Sequence, residues 1–134
     1  MQDRKGGCLC GAVRYTLKSE PRAIAVCHCT HCQKLSGSVV SFNVVVKEAD
    51  YEQQGETKLF IDQGDSGQPV YRYFCDGCGS PILAKIAAAP GKVVVKAGTL
   101  DSMEGLTPQA EIYTDHAVSW LAPIAGAARS ARSH

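Results

Sequence analysis

Cys75-Asp76-Gly77-Cys78-Gly79 has the form of a metal knuckle. Two cysteines three positions apart, with a glycine between them and another after, suit a tight turn that presents both sulfurs to one ion. Gly77 and Gly79 are expected to take positive φ and to let backbone N–H groups approach the sulfurs. Such a knuckle supplies only two ligands, so it needs a second pair. Cys8-Leu9-Cys10 offers one, with Gly6, Gly7 and Gly11 around it. Placed at a strand entry, residues i and i+2 point to the same side. Together the pairs make a tetrahedral four-cysteine zinc site of the closed, structural kind. That site ties the start of the chain to a segment roughly 65 residues later, a long loop closure. The opposing reading, buried core cysteines in two unrelated turns, leaves the glycines without a purpose.

The remaining three cysteines lie together in Cys27-His28-Cys29-Thr30-His31-Cys32. Three sulfurs in one short loop can hold an ion and leave one coordination position open, as catalytic zinc sites do. Three thiolates donate strongly and weaken the ion as a Lewis acid, which favours thiol chemistry over water activation. Two alternatives stay open on spacing alone. His28 or His31 can close the triplet into a Cys₃His site, and the cysteine clusters can pair differently. An iron–sulfur cluster wants four ligands, usually at other spacings.

The rest of the composition supports metal over disulfides. The chain has 134 residues, seven of them cysteine, and an odd count cannot pair completely. A chain of about 150 residues buries roughly 68–70% of its unfolded surface, so staples are not needed for folding. No apolar run approaches a membrane span and no signal peptide is recognisable, so a cytoplasmic address with reduced thiols is expected. With 14 Lys+Arg against 13 Asp+Glu, no polyanion-binding surface is implied. Seven thiolates and two Zn²⁺ would shift the formal charge by −3, from +1 to −2, which further argues against a nucleic-acid partner.

Between the cysteines the pattern is that of strands. Val13, Tyr15 and Leu17 alternate with polar residues, and 38–46 is β-branched and continuous. Further strands are expected at 57–61, 70–74, 82–86, 92–97 and 110–114, with a turn at Pro90-Gly91. Helical signal is poor: Asp101 and Glu104 could cap one turn that Gly105 and Pro108 stop. The expectation is one all-β domain over 5–123, followed by a flexible tail over 124–134. Among single residues, Lys34 and Arg72 are candidates to meet an anionic substrate, though lone charges are usually just solvated. Tyr71, Tyr73 and Phe42 are expected in the core. His116 has no assigned role, and Trp120 is expected to pack over the sheet more readily than to line a pocket.

Three motifs in order, Gly6-Gly7-Cys8-Leu9-Cys10-Gly11, then Cys27-His28-Cys29-Thr30-His31-Cys32-Gln33-Lys34, then Phe74-Cys75-Asp76-Gly77-Cys78-Gly79-Ser80-Pro81, resemble the glutathione-dependent formaldehyde-activating enzyme family, whose domain centromere protein V shares. Gly98-Thr99-Leu100-Asp101 and Trp120 resemble its later segments, so the likeness spans roughly residues 5–123. The resemblance implies a β-tent fold, an all-β arrangement of short antiparallel sheets tied by a four-cysteine zinc site. It implies two zinc ions per chain, a structural one on Cys8, Cys10, Cys75 and Cys78 and a catalytic-type one on Cys27, Cys29 and Cys32. It implies carbon–sulfur lyase chemistry on a small-molecule thiol or its aldehyde adduct, glutathione and formaldehyde being the family's pair.

On that basis the chain is expected to be a zinc-dependent carbon–sulfur lyase, with His28 or a water moving the hydroxyl proton. No nucleic-acid or membrane partner is expected, and the sequence does not specify an oligomeric state. The alternative is a zinc-stabilised binding module without catalysis, since fold does not fix function. A lesser reading is metal handling or redox sensing by an oxidisable triplet.

Overall fold

The computed structural model describes residues 3–132. Eleven strands and one short helix follow in the order β1 (Arg4–Gly7), β2 (Arg14–Leu17), β3 (Ala23–Cys27), α1 (Thr30–Ser36), β4 (Ser41–Lys47), β5 (Tyr51–Gln54), β6 (Lys58–Gln63), β7 (Pro69–Phe74), β8 (Pro81–Ile86), β9 (Lys92–Lys96), β10 (Ala110–Ile112) and β11 (Ala128–Arg129). They form a three-stranded sheet, β1-β2-β5, and an eight-stranded sheet, β11-β10-β3-β4-β9-β8-β7-β6. The all-β expectation holds. Neighbours are antiparallel except at β10, which runs parallel to both β3 and β11. No described helix is long and apolar enough to cross a membrane.

Strand alternation divides the large sheet into two working faces. Val44 and Val46 of β4, Val93 and Val95 of β9 and Leu83 of β8 pack on one side against Tyr15 and Leu17 of β2 and Val13 just before it. This is the core between the sheets, and the period-two reading of 13–17 describes its inner face. Gly6 is buried where the sheets meet: a Cβ there would lie 2.4 Å from the Thr99 carbonyl oxygen and 2.5 Å from the Tyr15 hydroxyl. Any side chain would push the layers apart.

The opposite face carries a different set. Register aligns Ala23, Val45, Val94, Ala84, Arg72 and Phe60 across six strands, and beside that row Ala25, Asn43 and Lys96. Alanines at 23, 25 and 84 leave space above the sheet, and a cavity of about 600 Å³ lies there.

Several elements differ from the sequence expectation. Helix α1 has a cap that composition does not advertise: the Cys29 thiol accepts the Cys32 N–H at 3.3 Å, and Gly37 ends the helix at φ 66°. β3 and β5 were not expected, because Ala23–Cys27 is too poor in large β-formers and Tyr51–Gln54 is largely polar. The segment expected as a flexible tail carries β11 within its described part, because Arg129 reaches the buried carboxylate of Glu111 at 2.7 Å; 133–134 lie outside the described residues. Trp120 does not pack over the sheet and is 72% exposed.

Candidate metal centres and the cavity beside them

Cys8 and Cys10 follow β1, and Cys75 and Cys78 follow β7, so the first cluster joins the small sheet to the large one. The four sulfurs lie within 4.8 Å of one another. Cys8–Cys10 measures 3.6 Å and Cys10–Cys75 3.7 Å between sulfurs. A tetrahedron of Zn–S bonds of about 2.3 Å has edges of about 3.8 Å, so the donor set and its spacing fit a four-thiolate ion. The local backbone differs in detail from expectation. Cys8 sits in a turn, bonded N–H to Val13 O at 3.0 Å, rather than in a strand. Only Gly79 of the knuckle glycines takes positive φ, 78°. Backbone and hydroxyl donors do reach the sulfurs. The Val13 N–H donates to Cys8 Sγ at 3.2 Å and holds that thiol below its ordinary value. The Ser80 hydroxyl, 3.2 Å from Cys78 Sγ, brings Cys78 down to about 5.

The second cluster is Cys27, Cys29 and Cys32, again with sulfurs within 4.8 Å of one another. Cys27 ends β3, Cys29 caps α1, and Cys32 lies on its first turn. The chain reversal at 28–30 folds all three onto one point. Hydrogen bonds from Cys27 and Cys29 pull the Cys32 thiol strongly down, while Cys29, Cys32 and burial push Cys27 up.

Neither neighbouring histidine belongs to this cluster. His28 is buried, and its Nε2 lies 2.9 Å from Glu111 Oε1. Burial works against charge on Glu111, but the Ile124 N–H, His28 and Arg129 together outweigh it and keep the carboxyl below its ordinary value. His31 is held by a different carboxylate, its Nδ1 2.7 Å from Asp62 Oδ2, which also accepts from Arg72 Nε at 2.9 Å.

The cavity opens directly over the triplet. Cys27, Cys29, Cys32, His31, Arg72 and Lys96 line it; His28 and Lys34 do not. Lys96 is the feature least visible in the sequence. Burial lowers its pKa, and the three triplet thiols act on it in the opposite sense. Its ammonium donates to Asn43 Oδ1 at 2.9 Å, and among the described residues no carboxylate pairs with it. Tyr113 was also unexpected. It packs against the triplet in a left-handed backbone conformation, φ 56°, uncommon for a large side chain and characteristic of sites where surrounding structure over-determines the chain. Burial first, then Asp65, raises it to about 12. His116 also lines the cavity.

Comparison with known proteins agrees with this arrangement. A family profile described as glutathione-dependent formaldehyde-activating enzyme matches residues 3–116. A crystal structure of a Rhodobacter sphaeroides protein superposes with a TM-score of 0.55 at 22% identity, covering 78% of this chain and 91% of that one, a likeness of fold. A valine–tRNA ligase of Haloarcula marismortui is 33% identical over 70 residues, 48% of this chain. The chain spans only 8% of that ligase's length.

Proposed function

Because the chain belongs to the glutathione-dependent formaldehyde-activating enzyme family, we propose that it is a carbon–sulfur lyase acting on the adduct of a thiol with a small aldehyde. The observation that carries this reading is the convergence of Cys27, Cys29 and Cys32 on one point beside an open cavity, with neither histidine among the converging ligand atoms. In this reading Cys8, Cys10, Cys75 and Cys78 hold a structural zinc, and Cys27, Cys29 and Cys32 hold a second. Zinc held by three thiolates supplies a free coordination position and a positive charge that favours the thiolate form of a substrate sulfur.

The chain's own residues divide the remaining work. In the release direction the C–S bond of the adduct breaks, the sulfur departs with the electron pair, and the hydroxyl proton leaves as the aldehyde C=O forms. In this reading His31 takes that proton. Asp62 fixes the ring by accepting from Nδ1, which leaves Nε2 as the acceptor on a residue that lines the cavity. His28, first expected in that role, is buried against Glu111 and serves to position the loop between Cys27 and Cys29. Lys96 places a cation beside the thiolates and offsets the charge that a fourth sulfur brings. The alanine floor leaves room for a substrate larger than its reacting atoms.

Exchange NMR on glutathione, formaldehyde and their adduct tests the proposal, with zinc-loaded wild type against Cys29→Ser. Acceleration by wild type alone supports it. No acceleration by either protein at full metal content removes the glutathione–formaldehyde reading and leaves the binding module in its place.

A further inference from the structure

Strand β6 closes one side of the eight-stranded sheet, and among the described residues nothing pairs with its outer edge. Its middle reads Leu59-Phe60-Ile61, and these side chains are 43%, 50% and 60% exposed. Natural proteins blunt an open edge with proline, a bulge, a covering segment or a charge in its middle. β6 has no proline, its charges stand at 58 and 62, and the register irregularity of this region falls between β7 and β8. Three consecutive apolar residues on a bare edge want a partner strand.

The backbone phase is fixed by the hairpin that joins β6 to β7. The Gly64 N–H donates to Gln68 O at 3.0 Å. Hydrogen-bonded and non-bonded pairs alternate in an antiparallel ladder, so the even residues of β6 direct their backbone groups to β7. Leu59, Ile61 and Gln63 turn theirs outward. Side chains divide in the same way. Phe60 stands opposite Arg72 on the cavity face; Leu59 and Ile61 stand opposite Tyr73 and Tyr71 on the other.

We infer that β6 pairs antiparallel with β6 of a second copy of this chain, about a two-fold axis at Phe60. In that register Leu59 and Ile61 exchange backbone hydrogen bonds with Ile61 and Leu59 of the second copy, four in all, using the groups that point outward. Phe60 meets Phe60. Lys58 stands opposite Asp62, whose carboxylate is already held by His31 and Arg72, so no like charges face each other across the axis and Leu59-Phe60-Ile61 is self-complementary in apolar content. Leu59 and Ile61 of both copies then continue one apolar strip with Tyr71 and Tyr73. The pairing joins two large sheets into one and does not depend on the chemistry assigned to the cavity.

Analytical ultracentrifugation of the metal-loaded full chain, over a concentration series, tests this with two edge variants. Ile61→Pro removes an outward donor without touching the bonds to β7, and Ile61→Lys puts a charge into the strip. Each is expected to weaken dimerisation at least about 100-fold while circular dichroism stays unchanged. Phe60→Cys is expected to form a disulfide dimer under mild oxidation, because non-bonded antiparallel partners have Cα atoms about 4.5 Å apart. Leu59→Cys, which does not face itself, should not. A monomer at about 100 μM, a dimer that persists in both Ile61 variants, or equal cross-linking at 59 and 60 overturns the inference.

Discussion

Cys29 Sγ accepts the Cys32 N–H at 3.3 Å, so one thiol both caps α1 and stands in the three-sulfur cluster. The two duties can be separated. Serine is a good N-cap and a poor soft-metal ligand, whereas alanine does neither job. Cys29→Ala is expected to be about 1 kcal/mol less stable than Cys29→Ser. Both should lose the same single metal ion. Urea unfolding with metal analysis checks this, and equal stability of the two variants would contradict the cap.

The four-cysteine cluster should behave differently, because it spans the two sheets. If its binding energy is folding energy, a strong chelator that strips the chain should also unfold it. Denatured wild type is expected to release two zinc ions per chain to a chromophoric chelator. Cys75→Ser should be insoluble or lack cooperative unfolding, since a ligand is lost where the two sheets are joined. A soluble Cys75→Ser protein with a sharp transition would reassign the site.

These two centres were legible in the sequence because their spacing is local: each pair or triplet lies within six residues, and turns impose the geometry. The alternation of Val13, Tyr15 and Leu17 was legible for the same reason. What the sequence hid depends on register. Ala23 and Ala25 look like weak strand formers, yet their small size is what opens the cavity. Lys96 looks like a solvated strand end until β9 is set beside β4 and Asn43. Helix α1 was missed because its cap is a thiol. Glu111 and Arg129 give no local sign of meeting, since a parallel pairing of β10 with β11 brings them together.

Glu111 carries a pH prediction. Its carboxyl is held below the ordinary glutamate value in the folded chain, so the folded state binds that proton less readily than the unfolded one. Its stabilisation is therefore full above the ordinary value and is lost as pH falls through the folded one. Glu111→Gln should cost about 2 kcal/mol at pH 7, less than a fully buried pair because Arg129 is partly exposed. The variant's stability should also fall less steeply than wild type below about pH 5. Denaturant titrations at pH 4 to 7 check both; parallel curves would mean the carboxylate contributes nothing.

His31 and Asp62 can be tested as a pair. His31→Gln keeps a hydrogen-bond donor toward Asp62 but has no basic Nε2. The exchange rate of adduct and free thiol is expected to fall about 100-fold, the lower end of general acid–base effects, with metal content unchanged. Asp62→Asn should fall less, because the ring is misoriented rather than removed. If His28→Gln costs more than His31→Gln in folded, metal-loaded protein, the proton passes through His28 after all.

Lys96 makes the sharpest prediction about binding. Three thiolates around a divalent ion carry one net negative charge, and a fourth, from substrate, makes two. A cation in the cavity floor offsets the second charge, in surroundings where burial already disfavours an isolated ammonium. Lys96→Met should leave folding intact, since the ammonium pairs with no described carboxylate and the methionine keeps most of the side chain's apolar length. Thiol affinity should nevertheless fall about 10-fold to 100-fold, or roughly 1.4–2.8 kcal/mol. Lys96→Arg should restore most of it by keeping the charge. Cobalt substituted at the triplet reports this directly, because its visible spectrum changes when an oxygen ligand is replaced by sulfur. Titration with glutathione gives the affinity without turnover. Loss in Lys96→Met with recovery in Lys96→Arg assigns the effect to charge. Equal loss in both would mean that the ammonium's hydrogen bond to Asn43, rather than its charge, shapes the site.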